Sequence, residues 1–202
     1  VNQDPVQDIK SADAALSAAD PSPFPLPATG LEAVIAGGFL GMKKTDWIFP
    51  GLRERVGGVL RNCPIERLAD GHAGARPYRL APVSTSASTR LLQACGVAMA
   101  DNNSVLCFIG QGAGATGAFY EALNLAALHQ LNLIILAHSR DLSAEGSPLA
   151  IQVAGGLRSK AAAFGLSTSQ VKSTDFTAIQ KAVAKARKTG GPHLIEAEIP
   201  QG

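Results

Sequence analysis

Hydrophobic spacing changes character along this chain. Between positions 29 and 71 it is helical: Leu31, Val34, Ile35 and Phe39 recur at the interval of one buried helix face. Thr29 and Glu32 stand at the spacing of a capping box, in which a hydroxyl and a carboxylate satisfy backbone donors at a helix start. That helix is expected to stop near Gly41. Pro50 suits the first turn of a second helix through Leu52, Val56 and Leu60, and a short third helix through Ile65 and Leu68 should end at Gly71. Positions 72–87 hold turn formers without a period and are read as a loop.

From Ser88 onward helical stretches alternate with short apolar runs. The pattern predicts helices over 91–100, 115–131, 149–164 and 176–188, and strands over 105–109, 133–137, 170–172 and 194–199. Strands separated by helices form a parallel sheet, because each crossover helix returns the chain to the same edge; helices then cover both faces. The fold class is therefore α/β, with right-handed crossovers expected.

Residues 1–29 do not fit this scheme. They are rich in Ala, Asp, Ser and Pro, and Pro21, Pro23, Pro25 and Pro27 impose an extended stretch at alternate positions. The segment is read as an arm or linker, with Phe24 and Leu26 as its anchors if it lies along a partner. The domain proper is then 30–202. The net charge of +2 is scattered along the chain, so charge supplies no reason for a nucleic-acid partner. No apolar run approaches the roughly 20 residues that cross a bilayer. Cys63, Cys95 and Cys107 lack CxxC spacing and lie in apolar segments, as reduced core thiols do. Asp4, Asp8, Asp13 and Asp20 without any Arg give the first residues none of the character of a targeting peptide, and an intracellular location is expected.

The candidate chemistry lies at Gly110-Gln111-Gly112-Ala113-Gly114-Ala115-Thr116-Gly117, between a predicted strand and the next helix. Glycines let backbone amides approach an anion, and the helix start adds partial positive charge, so a diphosphate suits such a turn. Gly112, Gly114 and Gly117 also spell GxGxxG, with Arg140 near the end of the next strand as a holder for a 2′-phosphate, which is the pattern of an NADP site. Against that alternative, the match begins two residues after the strand and far from the first strand of the sheet.

The stretch GQGAGATGAFYEALN, Gly110 to Asn124, resembles GDGATSEGDFYEALN of the alpha subunits of thiamine-diphosphate-dependent 2-oxo acid dehydrogenases acting on pyruvate, branched-chain acids or acetoin. Gly30-Leu31-Glu32-Ala33 resembles the family's GQEA, Trp47 to Arg61 its YREHG region, Ala81 to Ala100 its loop and helix before the diphosphate turn, and Gly191 to Glu196 its closing GPTLIE strand. The resemblance implies a shortened thiamine-diphosphate-binding fold and a partner, since the family's cofactor lies between alpha and beta subunits. In that family Mg²⁺ is held by the Asp of GDG and by an Asn in an NN-x-Y element. Here those positions are Gln111 and Arg140, with Ser139 and Leu142 at the first Asn and the Tyr. Mg²⁺ takes hard oxygen ligands and normally a carboxylate. Gln111 has no charge, and a guanidinium has no lone pair; held roughly 6 Å from the ion it would repel it by about 5 kcal/mol.

The resemblance thus implies a degenerate subunit that scaffolds an oligomer or larger assembly, with no catalytic residue, no metal and no cofactor. Gly110, Gln111, Gly112, Ala113 and Arg140 form its vestigial or altered diphosphate site. An active dehydrogenase subunit binding thiamine diphosphate and Mg²⁺ in an altered way is the alternative. In it Gln111 and Arg140 meet the diphosphate directly. The mitochondrial matrix in a eukaryote, or else the cytoplasm, is the implied compartment. His72 is the remaining histidine in the loop where the family has several, and His129 and His138 are read as surface and packing residues.

Overall fold

The computed structural model describes residues 4–20, 26–70, 76–140 and 156–200, with Arg140 described for its backbone alone. Helix α1 (Pro5–Ala19) and helix α2 (Glu32–Gly41) precede a short strand β1 (Trp47–Phe49), a 3₁₀ helix (Glu54–Arg61) and helix α3 (Ile65–Asp70). Then follow α4 (Ala87–Ala100), β2 (Val105–Gly110), α5 (Gly117–Leu128), β3 (Leu133–Arg140), α6 (Leu157–Ala163), β4 (Ser167–Lys172), α7 (Phe176–Thr189) and β5 (His193–Ile199). The strands form one parallel sheet in the order β1-β2-β3-β5-β4.

Alternation along each strand divides the core between the two faces, as the pleat requires. Leu106, Phe108, Ile134, Leu136, Ile195 and Ala197 pack toward α1, α2, α3 and α7. Val105, Cys107, Ile109, Leu133, Ile135, Ala137 and Leu194 pack toward α4, α5 and α6. Strands β2 and β3 are apolar at successive positions because both their faces are covered. The three thiols are buried and unpaired, as expected, and burial pushes Cys95 up to about 11 and Cys107 up to about 12.

Several expectations are corrected. Residues 5–19, part of the segment read as an arm or linker, form a helix. The Asp4 carboxylate accepts from the backbone N–H groups of Val6 and Gln7, and Pro5 opens the first turn. Ile9 and Leu16 are buried in the core, and Asp13 accepts the Ala28 N–H through both carboxylate oxygens. Asp20 at its end pairs with Arg55 of the 3₁₀ helix. Of the predicted proline stretch, 21–25 lies outside the described residues.

The Thr29–Glu32 capping box does not form. Leu31 is the N-cap of α2, and Glu32 instead reaches back to accept the Gly30 N–H at 2.9 Å. The helix does stop at Gly41. The helix expected from Pro50 begins only at Glu54 and is 3₁₀, and the residues before it form β1, which was not expected. Ile48 of β1 exchanges backbone hydrogen bonds with Arg79 and Ala81 on one side while β1 pairs β2 on the other. Helix α5 is shorter than expected, starting at Gly117, because the turn before it is itself a tight 3₁₀ segment, and β3 runs on to Arg140. Part of the expected helix over 149–164 lies outside the described residues.

Candidate diphosphate-type site

Because the sheet is parallel, the carboxyl ends of its strands share one rim, and the predicted site residues fall there. Strand β2 ends at Gly110, which registers with His138 of β3, and Arg140 lies two positions further along, its backbone opposite Ile199 of β5. Two steps along a pleated strand return to the same face. Gly110 and His138, in step with Phe108 and Leu136, therefore lie on the face that carries α2 and the 3₁₀ helix.

Residues Gln111–Ala115 wind into a 3₁₀ turn that holds Ala113 and Gly114 buried. The Thr116 hydroxyl donates to the Ala113 carbonyl at 2.8 Å, and the Tyr120 hydroxyl of α5 donates to the Gly114 carbonyl at 2.9 Å. Lys160 of α6 in turn donates to the Tyr120 oxygen at 3.0 Å and lies 5.4 Å from the ring centroid. These bonds fix the turn through its carbonyls. Its N-cap, Gly110, and that of α5, Thr116, give no side-chain capping bond.

The glycines of the turn serve different ends. A Cβ on Gly110 would stand 3.3 Å from Cε1 of His138, so glycine there makes room for the imidazole. A Cβ on Gly112 or Gly117 would meet nothing within 4 Å, and neither residue has positive φ. Neither crowding nor backbone conformation calls for glycine at these two positions.

Sequence reasoning missed a buried polar cluster under this rim. Oε1 of Glu54, 4% exposed, lies 3.0 Å from Nε2 of His138. Burial raises the Glu54 carboxyl, but the hydrogen bond from His138 and the charges of His138 and Arg90 outweigh it, and its pKa ends below the ordinary value. Glu54 is therefore a carboxylate. Arg90 of α4, also 4% exposed, donates to the carbonyls of Phe108 on β2 and Ser84, while its Nε has no partner. The available signal was alternation: the pleat places His138 on the same face as Leu136, beside a glycine of the neighbouring strand.

Position 111 supplies no carboxylate for Mg²⁺. Gln111 brings an amide where a carboxylate would be needed, and among the described residues no group of three His, Cys, Asp or Glu side chains could hold a metal ion. The Arg140 side chain lies outside the description, as do His72 and Leu142. His129 is exposed at the end of α5, as expected. His138, read from the sequence as a packing residue, instead pairs with Glu54 at the site rim. The NADP pattern starts two residues past the second strand, which is interior to the sheet, and not at a strand end.

Comparison with known proteins agrees with this geometry. A family profile described as "Dehydrogenase E1 component" matches residues 6–199. The chain is 32% identical over 188 residues to the 3-methyl-2-oxobutanoate dehydrogenase subunit alpha of Mycobacterium tuberculosis, a match covering 85% of this chain and 51% of that protein. It is 27% identical over 186 residues to the pyruvate dehydrogenase E1 component subunit alpha of Mycoplasma genitalium, covering 84% and 52%. It is 25% identical over 194 residues to the mitochondrial 2-oxoisovalerate dehydrogenase subunit alpha of Mus musculus, covering 83% and 44%. The chain thus spans about half the length of these curated relatives. Transketolase from Campylobacter jejuni superposes with a TM-score of 0.68 at 22% identity, over 98% of this chain and 38% of that one, which is a likeness of fold.

Proposed function

The chain belongs to the dehydrogenase E1 component family, and on that premise we propose that it is a non-catalytic alpha-type subunit that assembles with related subunits. The observation that carries this reading is an intact turn without its metal chemistry. The 3₁₀ turn and parallel sheet are formed, yet position 111 is an uncharged amide, and a metal-binding cluster is absent among the described residues. In this reading the protein contributes its fold and a surface for a beta-type or second alpha-type subunit. The mitochondrial matrix of a eukaryote or the cytoplasm of a bacterium would be its compartment. Among the described residues no helix is long and apolar enough to cross a membrane.

Calorimetry with thiamine diphosphate in the presence and absence of Mg²⁺ tests the proposal. Binding that does not depend on the metal, or no binding, is the expected result. Tight binding that requires Mg²⁺ would overturn it. Co-expression with a beta-type subunit from the same organism should yield a complex on gel filtration, without 2-oxo acid dehydrogenase activity.

A second reading is favoured by Gly112 and Gly117, whose missing side chains leave space that the protein does not fill. In it the turn still takes a diphosphate group, directly on backbone donors and without a metal. Thiamine diphosphate, where bound, would supply carbanion chemistry; this chain would only hold its diphosphate. Arg140→Ala would then weaken cofactor binding, an outcome that the purely scaffolding reading does not produce.

A further inference from the structure

Helix α7 carries Lys181, Lys185, Arg187 and Lys188 and no Asp or Glu. Lys181, Lys185 and Lys188 are exposed and recur at the interval of one helix face, as a stripe about 10 Å long. Helix α2 runs alongside, with Gly37 against Ile179 and Gly41 against Val183, so the exposed Lys43 and Lys44 just past its end stand beside the last turns of α7. The approach of Arg187 to Asp46, at 4.0 Å, fixes that meeting. Asp46 precedes β1, and His193 at the start of β5 feels the charge of Lys185, so the cations gather at the amino ends of the strands, away from the glycine turn. Among the described residues none of these lysines forms an ion pair. Asp46 does not offset them, since it is 3% exposed and its two carboxylate oxygens accept the backbone N–H groups of Lys43 and Ser104. The helix dipole accounts for Arg187 and Lys188 in the last turn, but not for Lys181 two turns earlier. Lysines three and four apart on a helix repel and weaken it. The exposed face of α3, by contrast, mixes signs through Glu66, Arg67 and Asp70. The stripe thus works against the isolated helix and becomes favourable when carboxylates cover it.

We propose that the Lys181–Lys185–Lys188 stripe, with Lys43 and Lys44 at its lower end, is a docking surface for an acidic helical segment of a protein partner. Carboxylates at i, i+4 and i+7 of such a segment share one face and the same rise per residue, so they meet the three ammonium groups together. Leu40 of α2, exposed and with its carbonyl accepting from Gln180, supplies an apolar contact at the edge of the stripe. A single-stranded nucleic acid would find no exposed aromatic side chain on α2 or α7 to stack on, and a membrane would meet Leu40 as the one large exposed apolar side chain of these helices. The surface lies at the other end of the sheet from the glycine turn, so it does not depend on what that turn binds.

The test uses the whole chain and two fluorescent alanine-based helical peptides of one composition, the first with glutamates at i, i+4 and i+7, the second with the same glutamates at adjacent positions. Anisotropy titrations are run at low salt on the wild type and on the combined variant Lys181→Gln, Lys185→Gln, Lys188→Gln. The control combines Lys10→Gln, Arg67→Gln and Arg158→Gln, which removes the same charge from exposed positions elsewhere. Glutamine matches lysine in helix propensity, so the α7 variant keeps its fold, and circular dichroism checks that. The expected result is that the wild type binds the spaced peptide about fivefold more tightly than the permuted one, and that the α7 variant loses about tenfold, the sum of three exposed ion pairs. The control variant should lose under about twofold, by long-range attraction alone. Equal losses in the two variants would reduce the stripe to net charge and overturn the proposal. So would a wild type that ignores the spacing of the glutamates or binds neither peptide. Tighter binding to duplex DNA or to phosphatidylserine vesicles than to the spaced peptide, lost in the α7 variant, would also overturn it and assign the stripe to that partner instead.

Discussion

At the residue scale, two glycines of one turn make opposite predictions. Gly110→Ala brings a Cβ to 3.3 Å from the His138 ring, closer than such contacts normally lie. A loss of about 1 kcal/mol in urea unfolding is expected as the ring gives way. Gly112→Ala meets nothing within 4 Å and keeps an ordinary backbone angle, so stability should be unchanged or raised by about 0.5 kcal/mol. Any effect of Gly112→Ala on ligand binding would then report the ligand and not the fold. Asp101 offers a separate check. The Asn103 backbone N–H and side-chain amide, with further bonds from Trp47 and Arg79, lower its pKa from 3.8 to about 2. A depressed folded pKa means the contribution is complete above about pH 4 and lost as the pH falls through 2. The fall in urea midpoint between pH 4 and 2 should be shallower in Asp101→Asn than in the wild type.

At the element scale, the N-terminal helix and α2 carry the predictions. Ile9 is fully buried in the cluster that joins α1 to α2 and the sheet. Ile9→Ala should therefore cost about 3 kcal/mol by chemical denaturation, where an undocked arm would show almost nothing. Helix α2 packs on α7 through glycine: a Cβ on Gly41 would come within 2.6 Å of Cβ of Val183 and 3.0 Å of the Gln180 carbonyl. Alanine gains about 1 kcal/mol in helix propensity, but parting two helices that touch backbone to side chain costs more. Gly41→Ala is expected to lose about 2 kcal/mol net, whereas the same change at Gly96 of α4, with open space beside it, should stabilise slightly. The 3₁₀ helix Glu54–Arg61 carries glycines under similar crowding. Gly57 and Gly58 stand against Phe39 and against Leu68 and Leu80 without room for a side chain.

At the scale of the whole molecule, one sheet serves both core clusters, so the described domain should unfold in one step. Trp47, the sole tryptophan, lies on the edge strand β1 and is bonded to Asp101. Its fluorescence transition in urea should coincide with the loss of far-ultraviolet circular dichroism; two separate midpoints would show that β1 and its neighbours melt independently. The α/β class, the order of elements from 88 onward, the burial of β2 and β3 on both faces, and the location of the glycine turn were all legible in the sequence. Each follows from local spacing: period, run length and the glycines between a strand and a helix. The identity of residues 111 and 140 was legible too, and with it the departure from the resembled family's metal-ligand pattern. Three features were not. The helix Pro5–Ala19 has its apolar side read only against α2 and α3, since Ile9 and Leu16 gain their burial from partners distant in sequence. Strand β1 is three residues long and exists because β2 and Leu80 flank it. The Glu54–His138 pair joins residues 84 positions apart, and no local pattern can bring a 3₁₀ helix over the end of a strand. Spacing along the chain is enough to determine elements and the turn between them, because those depend on neighbours in sequence. Only the tertiary structure could place a buried carboxylate behind a histidine beside that turn, because that depends on which strands lie side by side.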